Sequence, residues 1–140
     1  MSVFEQLAPV FAQILLTFAL LGWMRALRYR ASATRTVRVR DIALGQPAWP
    51  ARATQIDRAF HNQLELPILY YVLVTLILVT HTADWPLSAL SWAFVASRYA
   101  HAFVHTTSNV VPRRFALFVV GATLLVIMWA IFALRISWVY

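Results

Sequence analysis

The run from Phe115 to Leu134, FALFVVGATLLVIMWAIFAL, is 20 residues long and carries no charge. At ~1.5 Å of rise per residue, one helix of this length crosses the ~30 Å hydrocarbon core of a bilayer. A helix that is apolar on every side must be enclosed, by a large protein core or by lipid. In a chain of 140 residues with so few charges, this run reads as a membrane span. The same test applied outward from it finds three more. One goes from Trp85-Pro86 to about His105. Another goes from about Glu65 to Thr80, after a polar but helix-compatible stretch from Arg52. The first spans about Leu7 to Met24, with Pro9 in its opening turn, where a missing N–H costs little. The expected class is an all-α integral membrane protein, a four-helix transmembrane bundle in a single domain over 1–140. Its helices are expected at about 7–28, 52–81, 85–106 and 112–137.

Composition agrees. Hydrophobic residues make up 61% of the chain and charged residues 12%, about half the ~25% share of a soluble domain. All 12 basic residues are Arg, and the net charge is +7. Nucleic-acid binding would need a soluble basic face, whereas these arginines lie between apolar runs, so no nucleic-acid partner is expected. The chain has no cysteine. That excludes disulfides, thiolate metal sites and a nucleophilic thiol of its own, so any thiol chemistry must use a thiol carried by a ligand. The first apolar run lacks a preceding basic stretch and a small-x-small cleavage site, and is expected to be retained as a membrane helix.

The distribution of arginine sets an orientation. Between the first two spans lie Arg25, Arg28, Arg30, Arg35, Arg38, Arg40 and Arg52, with turn signals at Gly45-Gln46-Pro47 and Trp49-Pro50. The connection between the last two carries Arg113 and Arg114. The N-terminus has only Glu5, and the turn His81-Thr82-Ala83-Asp84 has no Arg. The positive-inside rule puts both Arg-bearing loops in the cytoplasm and both termini outside, with Arg135 the one dissenting charge. Trp85, Trp138 and Tyr140 would then join the outer aromatic belt.

Polar residues interrupt two of the spans. Arg58, Asn62 and Glu65 are spaced i, i+4, i+7, and Arg98, His101 and His105 are spaced i, i+3, i+7, each set on one helical face. Arg98 lies roughly 18 Å along its helix from Pro86, and Glu65 roughly 22 Å from Thr80. Both sit past the middle of the apolar slab, where an unpaired Arg costs at least ~2.5–3.5 kcal/mol. Snorkelling accounts for an Arg at a helix end but not for residues this deep. Glu65 and Arg98 are therefore expected to pair. With Asn62, Arg58, His101, His105 and Arg114 they are expected to form a polar cavity open to the cytoplasm. Pro67 is expected to free the carbonyl of Gln63 and kink the second span. His61 is expected to face away from Asn62, at the interface.

These residues resemble a family. Arg58-x3-Asn62-x2-Glu65-x-Pro67 is similar to the first half of the signature of the MAPEG family, the membrane-associated proteins of eicosanoid and glutathione metabolism. Arg98-x2-His101-x3-His105, followed by Pro112-x-Arg114, is similar to the second half. The topology of four helices, a long first cytoplasmic loop and a short outer turn is similar as well. The resemblance implies a homotrimer in membrane lipid, with glutathione as co-substrate bound between protomers near the cytoplasmic side. By position, Arg58, Asn62 and Glu65 would hold the ends of the tripeptide, Arg98, His101 and His105 would line the pocket, and Arg114 would be the catalytic arginine that stabilises the glutathione thiolate. Two features depart from the pattern: His105 stands where many members carry a tyrosine, and Pro67 comes one residue early. The chain looks like a bacterial branch, which implies the bacterial inner membrane.

The leading expectation is a glutathione-dependent transferase or peroxidase acting on hydrophobic electrophiles that partition into the bilayer. The alternative is a non-catalytic trimer that binds a lipid or small anion. A metal or haem site on His101 and His105, spaced i, i+4, is a third reading, but the one nearby carboxylate, Glu65, is already assigned to Arg98. A small proton-coupled exporter would need a buried acid in the first helix, which has only Gln13 and Thr17 inside.

Overall fold

A computed structural model describes residues 2–45 and 47–139. Gln46 of the expected turn and Tyr140 of the expected aromatic belt lie outside the described residues. The described secondary structure is helical: α1 (Val3–Ala33), the single turn α2 (Val39–Ile42), α3 (Ala51–His61), α4 (Leu66–Val79), α5 (Trp85–Thr106) and α6 (Val111–Val139), with a 3₁₀ turn at Asn62–Leu64. By length and composition α1, the stretch Ala51–Val79 and Val111–Trp138 can each cross a membrane. The 22 residues of α5 also reach ~33 Å. Its Arg98, His101 and His105 are buried against the other helices, so the polar face of α5 is turned inward. The side chains left outside are apolar, among them Phe11, Leu15 and Phe18 on α1 and Phe115, Val126 and Leu134 on α6. This is the distribution of a four-helix membrane bundle.

The helices start and stop for local reasons. A capping box opens α1: the Ser2 hydroxyl accepts from the Glu5 N–H at 3.2 Å, and the Ser2 N–H donates to Glu5 Oε2 at 2.7 Å. α1, α4 and α5 each end near a residue with left-handed backbone, Arg35 (φ 55), His81 (φ 53) and Asn109 (φ 50). At these ends an N–H reaches back five residues, from Thr36 to Ala31, Thr82 to Ile77 and Asn109 to Val104, at 3.0, 3.1 and 2.7 Å.

The second leg is not one kinked helix. α3 tightens into the 3₁₀ turn, and Glu65, at φ −98 and ψ −101, leaves the helical region. α4 then restarts with Pro67 in its first turn, where a proline needs no N–H partner. The interruption lies just before the proline and cancels the i, i+7 register expected of Arg58 and Glu65.

In the half of the bundle nearest the α4–α5 turn large side chains fill the core: Tyr70, Leu73 and Ile77 of α4, Leu87 and Phe94 of α5, Leu125 and Met128 of α6. The Tyr70 and Phe94 rings are 4.8 Å apart. In the other half Leu16, Leu20, Ala59 and Ala102 meet, and the two alanines let α1, α3 and α5 approach closely. Gly121 does the same for α6. A Cβ there would stand 2.9 Å from Ser97 Oγ and 3.7 Å from Arg98 Cδ.

Two clasps hold the ends. At the end that holds the α4–α5 turn, Asp84 caps α5, its Oδ1 accepting from the Leu87 N–H at 3.1 Å, while Oδ2 accepts from Arg135 Nη2. Arg135 Nη1 also donates to the Thr82 carbonyl at 3.3 Å. Arg135 thus has its own carboxylate. Partial burial pushes the Asp84 carboxyl up, but the hydrogen bonds from Arg135 and Leu87 more than reverse this and hold it below its ordinary value. At the opposite end Arg28 pairs with Asp57 at 2.8 Å and stacks over the Trp49 ring at 5.0 Å. Arg52 and Gln55 donate to the Thr106 and His105 carbonyls at 2.5 and 2.7 Å, satisfying acceptors that the last turn of α5 leaves open.

Candidate functional site

Where α3 gives way to the 3₁₀ turn, a cleft of about 200 Å³ opens between that turn, α5 and the start of α6. Its lining is Asn62, His101, Val111, Arg114, Phe115 and Phe118. Of the seven residues singled out in the sequence, Asn62, His101 and Arg114 therefore line one cleft. Each comes from a different element, so the convergence is a property of the fold.

Asn62 is half-buried, and its Nδ2 donates to the Arg58 carbonyl at 3.0 Å. This fixes the amide at the helix end and turns its oxygen free. His101 is only 2% exposed. Its ring sits edge-on to His105 at 5.7 Å and 6.2 Å from the Phe118 ring. Arg114 is half-buried in the first turn of α6, and its Nη1 donates to Asn109 Oδ1 at 2.7 Å. Phe115 and Phe118 supply an apolar wall beside these polar groups.

Arg98 and His105 stand behind the cleft. Arg98 is fully buried, with Cζ 5.9 Å from the centre of the Phe118 ring and Nη2 donating to the Asn62 carbonyl at 3.2 Å. Its charge lies under the cleft rather than in it. His105 is also buried and meets the cleft only through His101. Arg98 Nε and Nη1, and Nδ1 of both histidines, are buried without a hydrogen-bond partner among the described residues. The two open Arg98 donors mark a place where an acceptor is wanted.

Two expectations are corrected here. The Glu65–Arg98 ion pair does not form: Glu65 is exposed, and Arg98 takes a backbone carbonyl instead. The cause is the departure of Glu65 from helical geometry, which swings it off the face that Asn62 occupies. Arg58 likewise is exposed on the surface of α3, outside the cleft. His61 is exposed as expected, its Nδ1 against the Asp57 carbonyl at 2.9 Å.

Sequence reading missed the side-chain roles of two residues close to the site, Gln63 and Asn109. Gln13 and Gln63 are buried and share a hydrogen bond of 3.0 Å that ties α1 to the 3₁₀ turn. Polar residues in apolar spans were the available signal, noted for Gln13 and overlooked for Gln63. Asn109 was legible only as a turn former, and nothing in its spacing announced a contact with Arg114.

The positive charge of the cleft and its floor, the amide and imidazole beside it and the apolar wall suit a small anion joined to an apolar group. No curated protein and no solved structure matches the chain. The sequence profile of the MAPEG family matches residues 6–134. That match covers every element that builds the cleft, from α1 to α6, and the chain belongs to the MAPEG family.

Proposed function

We propose that the protein is a glutathione-dependent transferase or peroxidase for hydrophobic electrophiles that reach it through the bilayer. The observation that carries this reading is the convergence of Asn62, His101 and Arg114 on one cleft beside Phe115 and Phe118. Family membership supports it, since MAPEG proteins are typically glutathione-dependent transferases or peroxidases, or enzymes of eicosanoid metabolism.

A free thiol has a pKa near ~8.5, so only a few per cent is thiolate at neutral pH. A guanidinium is always charged and offers several donors in a fixed plane. Held beside the sulfur, Arg114 lowers the free energy of the thiolate relative to the thiol, and the proton leaves to water. The sulfur then attacks the electrophilic carbon, forming a C–S bond as the leaving group departs with its electron pair. With a hydroperoxide the sulfur attacks oxygen, the O–O bond breaks, and a second glutathione carries the oxidised sulfur on to the disulfide. Asn62 and His101 would hold the peptide part of glutathione. Arg98, beneath them, adds positive potential.

The whole chain, 1–140, is read as one membrane unit that works as a homotrimer, with the cleft on the cytoplasmic side and both termini outside. Exposed Glu65 supports the trimer. A carboxylate deep in an apolar slab is costly when it faces lipid, and a neighbouring protomer would cover it and bring it, with Arg58, towards the tripeptide.

The test is an ultraviolet titration of the detergent-solubilised trimer with glutathione, at neutral pH, beside Arg114→Ala. Saturable thiolate absorbance that disappears in the variant is the expected result. Folded trimeric protein that gives neither thiolate nor saturable binding would overturn the enzyme reading in favour of a trimer that binds a lipid or small anion.

A further inference from the structure

Arg114 occupies an electrostatically awkward place. The N-terminal end of a helix carries a partial positive charge, which disfavours a cation in the first turn. The first turn of α6 has no acidic residue to offset it, and Arg113 adjoins. The nearest partner is neutral: Asn109 Oδ1 accepts from Arg114 Nη1 at 2.7 Å. Asn109 itself ends α5 with φ +50, its N–H donating to the Val104 carbonyl at 2.7 Å. Among residues with a side chain, Asn is one of those that adopt left-handed backbone most readily. One residue thus closes α5 and supplies a side-chain acceptor pointed at α6.

We propose that Asn109 is a positioning residue for Arg114, whose amide oxygen holds the guanidinium at the cleft without neutralising it. A carboxylate at this place would hold Arg114 equally well, but as an ion pair that competes with an anionic ligand for the same charge. The amide leaves the full charge for the sulfur. The inference rests on the reading of Arg114 as the group that stabilises the thiolate, and it adds a residue to that reading.

Two variants separate tether from turn. Asn109→Gly keeps the left-handed backbone and removes the oxygen. Asn109→Asp keeps an oxygen and adds charge. Each is made in the full-length protein in detergent and measured in two ways. The first is the rate at which phenylglyoxal modifies Arg114, followed by peptide mass spectrometry without glutathione. The second is the thiolate fraction of bound glutathione against pH. Asn109→Gly is expected to react several-fold faster at Arg114 and to lose roughly tenfold in thiolate stabilisation, the scale of one hydrogen bond to a charged group. Asn109→Asp is expected to stay slow to modification yet also lose thiolate, a split that a purely structural role of the turn would not produce.

Wild-type modification rates in Asn109→Gly would overturn the tether, whatever the thiol titration shows. Faster modification together with an unchanged thiolate fraction would overturn the catalytic consequence. Absence of thiolate in the wild type would mark failure of the glutathione reading itself, and the modification rates would still decide the tether.

Discussion

Arg98 donates from Nη2 to the carbonyl oxygen of Asn62, 3.2 Å away, so a break in the second leg supplies the acceptor that a carboxylate was expected to supply. A continuous helix would spend the Asn62 carbonyl on its own next turn. Glu65 leaves the helical region and frees it. The interruption before Pro67 and the buried guanidinium are therefore one device, placed directly under the cleft.

Arg98→Met should fold with a stability within about 1 kcal/mol of wild type and bind glutathione more weakly. The variant loses one charge-assisted hydrogen bond, worth ~1.5–3 kcal/mol, and sheds a buried guanidinium whose insertion costs at least ~2.5–3.5 kcal/mol. Equilibrium unfolding in mixed micelles and a binding titration measure the two effects. A loss of several kcal/mol with binding intact would make Arg98 a structural residue and nothing more.

Gly121→Ala places a methyl group 2.9 Å from Ser97 Oγ, which is itself held by the Phe94 carbonyl at 2.6 Å. Either that hydrogen bond breaks or α6 moves outward, and overpacking of this kind costs ~1–3 kcal/mol. Ser97→Ala in the same chain removes the clashing oxygen and should recover most of the loss. If the double variant is as unstable as the single one, the close approach has another cause.

Gln13 and Gln63 should behave as a coupled pair. Gln13→Leu leaves Gln63 Oε1 buried without its donor, a cost of ~1–3 kcal/mol, while changing both to leucine should cost less than the sum of the single changes. Hydrogen bonds between membrane helices couple by ~0.6 kcal/mol on average and by ~1.7 at most, which sets the range expected of a double-mutant cycle. Additivity within experimental error would show that the contact contributes nothing.

The clasp between Asp84 and Arg135 should make stability depend on acid. The Asp84 carboxyl has a folded-state pKa below its ordinary value, so its contribution is fully present above the unfolded pKa of ~3.9. It is lost as the pH falls through the lowered folded value. Asp84→Asn should lower the thermal midpoint at neutral pH, and the gap from wild type should close as the pH falls through the lowered folded value. A gap that persists in acid would assign the effect to the helix cap rather than to the ion pair with Arg135.

The membrane class and the order of the helices were legible in the linear chain because they rest on one large, local quantity. Twenty consecutive apolar residues such as Phe115 to Leu134 favour lipid whatever surrounds them. Arginine placement and the Asp84-Trp85-Pro86 start of α5 work at the same short range. The inward face of α5 was legible too, since Arg98, His101 and His105 share a helical face that lipid would not accept.

The interior of the site was decided elsewhere. Spacing along an assumed continuous helix put Arg58, Asn62 and Glu65 on one face, and the interruption after Asn62 moved Glu65 off it. Pro67 begins a new helix because Glu65 leaves the helical region just before it, and the Asn62 carbonyl freed by that break meets its donor, Arg98, 36 residues on. Likewise Asn109 can face Arg114 only once its left-handed turn has folded α6 back against α5. Transfer to lipid is additive along the chain and can be read residue by residue. The direction of a side chain at a break or a turn depends on hydrogen bonds to distant partners, and only the packed bundle settles it.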